Sequence, residues 1–181
     1  ETVLARVRGS LRDTVPGMFG AEWERARDIF YAAVRACHLE VLSPLPGAAA
    51  AIAAAGALGP QAVISNKQGP LLRAEGAHLG WARHFAALVG AGDAEADKPD
   101  PAPFRLARAA AATPEGAVTW YVGDTAMDMQ AARRAGCVAV LVGDARHDGG
   151  VANARPDIAF ADAAALAEAL AAMTEAHRAV R

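Results

Sequence analysis

Residues 120–136 read Trp-Tyr-Val-Gly-Asp-Thr-Ala-Met-Asp-Met-Gln-Ala-Ala-Arg-Arg-Ala-Gly. An apolar run, Trp120 to Val122, ends in Gly123. Asp124 follows, and Asp128 stands four residues later, at the start of an Ala/Arg-rich helical pattern. The spacing predicts a strand handing over to a helix, the place in an open α/β sheet where ligands bind. Two clustered carboxylates repel unless one is protonated or a cation lies between them. Mg²⁺ suits such a pair, because it takes oxygen ligands and keeps several waters. The competing reading is a plain helix start, with Asp124 as cap and Asp128 as a solvated first-turn acid.

Working outward, the chain divides at Ser43-Pro44-Leu45-Pro46-Gly47. Before it, Val3, Leu4, Val7 and Leu11 fall on a helical period, and Ile29, Phe30, Ala33 and Val34 do so again. Pro16, Gly17 and Gly20 are expected to separate the two helices. After it, helices are expected over 48–55, 68–79, 104–112, 127–135 and 163–173. Strands are expected over 62–64, 85–89, 119–122, 138–142 and 157–160, with 143–155 as a polar loop. Short strands alternating with helices predict an α/β fold, a Rossmann-like parallel sheet with helices on both faces.

Two more strand ends carry polar chemistry. In Val63-Ile64-Ser65-Asn66-Lys67, Ser65 follows an apolar strand and precedes a helix. A hydroxyl there can donate to a phosphate oxygen, and the following backbone N–H groups attract anions. Ser65 or Asn66 as a simple helix cap is the alternative. In Asp97-Lys98-Pro99-Asp100-Pro101, Pro99 restricts Lys98 to an extended conformation, and Pro101 suits a first helical turn. Lys98 on this stiff segment is a compact charge able to face phosphate or a carboxylate. Each feature alone is commonplace; their order and spacing together are specific.

On these residues the chain resembles the haloacid dehalogenase-like hydrolases, and within them the phosphoglycolate phosphatase-like branch with a small helical cap. The resemblance implies that Ser65 and Asn66 bind phosphate, with the Ser65 hydroxyl on the transferring phosphoryl group. It implies that Lys98 stabilises the nucleophile and the phosphate, and that Asp124 and Asp128 carry Mg²⁺. Leu45-Pro46-Gly47 matches the turn that re-enters the core from the cap. Residues 1–42 are then a partial helical cap and 43–181 the α/β core. The implied reaction passes through an aspartyl-phosphate that water hydrolyses, with Mg²⁺ and Lys98 offsetting phosphoryl charge.

The family's first motif, Asp-x-Asp after an apolar strand, is absent from the sequence. Asp13-Thr14-Val15 lacks the second Asp and follows Arg6, Arg8 and Arg12, so it is read as a cap loop. The core therefore lacks its first strand and its nucleophile. With Glu1 rather than Met at its head, the chain is expected to belong to a protein starting some tens of residues earlier. As written it is expected to be inactive and to fold poorly, because strands flanking the gap expose unpaired backbone groups. The expected parent is a Mg²⁺-dependent phosphatase of a small phosphate monoester. A sugar-phosphate mutase and an inactive binding or regulatory protein are the alternatives. Val89-Gly90-Ala91-Gly92-Asp93 suggests a nucleotide-binding turn but lacks its third glycine.

Composition narrows the partners. The 181 residues carry 18 basic and 20 acidic side chains, a formal charge of −2, which gives no field for nucleic acid. The Ala-rich segment 48–57 is too short to span a bilayer. Cys37 and Cys137 lack metal spacing and are expected as small buried thiols in a reducing cytoplasm. His38, His78, His84, His147 and His177 share no spacing and are expected at the surface. Trp23, Phe30 and Tyr31 are expected in the packing of the cap. The partner expected is a small phosphorylated metabolite, and the chain a monomer or weak homodimer.

Overall fold

The computed structural model describes residues 11–179; the helical pattern expected at Val3, Leu4 and Val7 lies outside them. Two helices, α1 (Leu11–Phe19) and α2 (Trp23–Cys37), form a hairpin. Residues 13–15, read from sequence as a loop, are helical. Pro16 does not end α1 either. One missing N–H removes a single backbone bond from a short helix, and the chain turns instead at Gly20, whose φ is +51°. Val15 and Tyr31 are buried here with Leu71, and Trp23 packs against them. Phe30, expected in that packing, is exposed.

The rest alternates as expected: α3 (Ala48–Leu58), β1 (Val63–Gln68), α4 (Gly69–His78), β2 (Leu88–Ala91), α5 (Ala102–Ala110), β3 (Trp120–Gly123), α6 (Ala126–Arg134), β4 (Val138–Val142), α7 (Gly150–Ala154), β5 (Ile158–Phe160) and α8 (Ala163–Ala179). α3 runs through Gly56 instead of stopping there, since a glycine inside a helix costs only about 1 kcal/mol. α8 continues past Met173 because no helix breaker follows it before Ala179. Part of the expected loop 143–155 forms α7, bracketed by Gly149 and Arg155 with positive φ. At the turn into the core, Gly47 has φ +81° and lies where a Cβ would meet the Ala164 backbone at 2.4 Å. Both the conformation and the space demand glycine.

Among the described residues all strand pairs are parallel, but they form two sheets. β1 pairs with β2, and β3, β4 and β5 form the other in that order. Among the described residues no ladder joins β1 to β3. The interior strand β4 is buried, with Ala139, Val140 and Leu141 inaccessible. By contrast β3 is only part-buried, and Val122 is 41% exposed. A strand buried on both faces reads as a continuous apolar run, which β4 is. Phe104, Met129, Ala131, Cys137 and Leu141 form the main core, with Ile64 and Tyr121 packed against it from the two sides of the gap. Cys137 is buried as expected; Cys37, the last residue of α2, is exposed.

Candidate active site

The strand ends of both sheets converge on one site. The pairing of β1 with β2 is irregular between Ile64 and Gln68, which spans Ser65, Asn66 and Lys67. Irregularities of this kind re-aim side chains next to active sites. Asn66 donates through Nδ2 to the Lys98 carbonyl (3.1 Å), and its Oδ1 accepts from the Lys98 N–H (3.1 Å). Its second amide proton faces Met127 Sδ at 3.4 Å. Both Asn66 donors are therefore engaged, and the amide acts as a clamp on the Lys98 backbone. Ser65 accepts through Oγ from the Lys67 N–H (3.1 Å). Its own proton is left to donate.

Lys98 precedes a cis peptide bond to Pro99, and Asp100 accepts from the Ala102 N–H (2.8 Å) at the start of α5. The Lys98 ammonium donates to Asp128 Oδ1 (2.7 Å) and to the Tyr121 hydroxyl (2.9 Å). Its side chain is 11% exposed and that of Asp128 7%. An ammonium has three protons, so one remains for a ligand.

Asp128 is a hub. Its Oδ2 accepts from the Thr125 hydroxyl (2.7 Å) and from the backbone N–H groups of Asp124 and Thr125 (3.2 Å each). Its Oδ1 takes Lys98, and Tyr121 O–H lies 3.2 Å away. The N-cap of α6 is Thr125, whose hydroxyl accepts from the Asp128 N–H (3.0 Å), so the two form a capping box. The competing reading of a plain helix start, with Asp124 as cap and a solvated Asp128, is not found. Burial alone would push the Asp128 carboxyl up, but the charge and hydrogen bond of Lys98, then Thr125, hold it below the usual carboxylate range. With at least four donors on two oxygens, Asp128 has little left for a metal. Asp124 differs: it is exposed, and among the described residues its carboxylate has no partner. No group of three His, Cys, Asp or Glu side chains that could hold a metal occurs among the described residues.

Sequence reading missed Tyr121. Its hydroxyl reaches the Ile64 carbonyl (3.2 Å) and so spans the gap between β1 and β3. Its ring stands edge-on to Phe104, with centroids 4.8 Å apart. Burial, then the negative charge and hydrogen bond of Asp128, push its phenol well above the ordinary value, so it stays protonated. A polar-tipped aromatic inside an apolar strand was the available signal, since buried Tyr hydroxyls find partners. Thr125-x-x-Asp128 was a second, as a capping-box pattern.

The family model of haloacid dehalogenase-like hydrolases matches residues 1–148. The chain belongs to this family. A phosphoglycolate phosphatase of Pectobacterium atrosepticum is 36% identical over 81 residues, which cover 45% of this chain and 34% of that protein. The matched part thus spans about a third of that relative's length. A predicted phosphoglycolate phosphatase from Haemophilus somnus 129pt superposes with a TM-score of 0.62 at 25% identity, covering 81% of this chain and 64% of its own. A putative β-phosphoglucomutase from Thermotoga maritima gives a TM-score of 0.66 at 17% identity, over 88% and 76% of the two chains, and shows the shared fold. No helix among the described residues is long and apolar enough to cross a membrane.

Proposed function

We propose that this chain carries part of the active site of a Mg²⁺-dependent phosphatase acting on a small phosphate monoester, phosphoglycolate or a close analogue. The observation that carries the reading is the buried Lys98, held by Asp128 and Tyr121 with one proton free at the strand ends. In this reading Lys98 and the Ser65 hydroxyl bind the phosphoryl group. Asn66 and Asp128 serve as positioning residues: Asn66 clamps the Lys98 backbone and Asp128 fixes its ammonium. Of the carboxylates expected to hold Mg²⁺, Asp124 is the one with free lone pairs, so this chain's share of a metal site is a single ligand. When bound, Mg²⁺ supplies charge neutralisation at the phosphoryl oxygens.

The nucleophile is proposed to come from a strand outside the described residues, seated in the gap between β1 and β3, where the family's Asp-x-Asp would stand. A nucleophile there would stand beside Lys98, whose ammonium meets Tyr121 across the gap. A small phosphorylated metabolite is the partner, and the cytoplasm its place.

A phosphatase panel of small carboxylated and sugar phosphates, with and without Mg²⁺, tests the reading. The 181-residue chain is expected to be inactive, and a version extended upstream through an Asp-x-Asp strand active. Asp124→Ala in the active version should abolish Mg²⁺-dependent turnover. Full activity after that change would remove the metal assignment, and turnover by the 181-residue chain alone would remove the assignment of the nucleophile.

A further inference from the structure

Helix α4 starts directly after the strand that carries Ser65, and it presents Leu71 and Glu75, four residues apart, on one face. Both are buried. Leu71 packs against Val15 and Tyr31 of the helical hairpin, with Trp23, Ala26 and Val34 around them. Glu75 continues the same stripe with charge. His38, the C-cap of α2, places Nδ1 2.9 Å from Glu75 Oε1. Lys67, at the far end of β1, donates to Oε1 (2.6 Å) and Oε2 (2.5 Å). Burial would push the Glu75 carboxyl up, but the hydrogen bonds and charges of Lys67 and His38 hold it below the usual range. It is therefore ionised, and the His38 nitrogen facing it carries the proton.

Two basic groups from separate segments thus meet on one carboxylate oxygen. On one side the chain of contacts runs from His38 into the hairpin. On the other it runs from Lys67, whose backbone N–H donates to Ser65 Oγ (3.1 Å), into the strand end of the site. A buried carboxylate that loses one of its partners tightens on the other or draws in water, because an unpaired buried charge is costly.

We propose that Glu75 is a positioning residue that couples docking of the hairpin 11–37 to the setting of the strand end that carries Ser65. When the hairpin lifts, His38 leaves Glu75, and Lys67 and the Ser65 loop relax with it. By linkage, whatever orders the strand end also favours the docked hairpin. This goes beyond the phosphatase reading.

The test uses the 181-residue chain labelled with ¹⁵N at histidine. Lys67→Met should shift the ring resonances of His38, because the two side chains share Glu75 Oε1. In the Glu75→Gln background the same Lys67→Met change should leave them unmoved. Hydrogen exchange gives a second readout: Glu75→Gln should speed amide exchange about tenfold in both Trp23–Cys37 and Val63–Gln68, with Val138–Val142 unchanged. A His38 signal indifferent to Lys67, or faster exchange confined to one of the two segments, overturns the proposal. If Glu75→Gln does not fold, His38→Gln carries the exchange test, and loosening restricted to the hairpin overturns it. No phosphate ester enters these measurements, so their failure and that of the phosphatase reading are separable.

Discussion

The ammonium of Lys98 lies 2.7 Å from Asp128 Oδ1, joining the loop before α5 to the first turn of α6 inside a nearly closed environment. Thirty positions separate the two in sequence. Each charge is tolerated there only because the other is present.

Removing one partner leaves the other buried and unpaired. Asp128→Asn or Lys98→Met should each cost about 3–5 kcal/mol. The double substitution should cost clearly less than the sum, since neither charge remains. Urea unfolding of the four proteins checks this, and strict additivity would deny the coupling.

Acid should weaken the protein through the same pair. The folded-state carboxyls of Asp128 and Glu75 titrate below their ordinary values. Between the two values the unfolded chain binds more protons, so stability rises with pH. Their contribution is complete above about pH 4–5 and is lost as pH falls through the depressed values. Unfolding free energy measured from pH 7 to pH 3 should decline, and Asp128→Asn should show a shallower decline.

Tyr121→Phe tests the link across the gap. It deletes a hydroxyl that accepts from Lys98 and lies within reach of the Ile64 carbonyl and Asp128. The ring and its contact with Phe104 remain. The expected cost is about 1–2 kcal/mol, read from thermal or urea unfolding. A neutral result would mean that water replaces the hydroxyl without loss.

Gly123→Ala should be severe, for lack of room rather than backbone strain. A Cβ at Gly123 would stand 2.4 Å from the Asp128 Cβ and 2.5 Å from its Cγ. Relief requires moving the hub itself, at a cost of about 3 kcal/mol. Gly59→Ala is the contrasting change. Its φ of 168° is ordinary extended backbone and nothing lies within 4 Å. That substitution should be neutral or stabilise by about 0.5 kcal/mol. Melting temperatures of the two variants give the comparison.

The element order was legible because backbone hydrogen bonding and apolar periodicity are local. The run Val138–Val142 is five consecutive apolar residues, and it forms the strand with the same bounds. The turn from β3 into α6 at Asp124 was legible for the same reason. Their internal roles were not. Asn66 resembled a phosphate donor, yet its amide is engaged by a backbone 32 residues away. His38 resembled a surface residue, yet it closes on Glu75 across 37 positions.

From sequence alone came the α/β class, the parallel strands and the segments that carry Ser65, Lys98, Asp124 and Asp128, although Ser65 lies within β1 and Lys98 in the loop before α5. Only the tertiary structure divided the two aspartates, leaving Asp124 open and surrounding Asp128 with donors. It also revealed Tyr121 reaching across unjoined sheets. Local pattern decides which way a chain turns. What a buried charge or hydroxyl meets depends on segments far away in sequence, and in a low-dielectric interior that partner determines its protonation and its role.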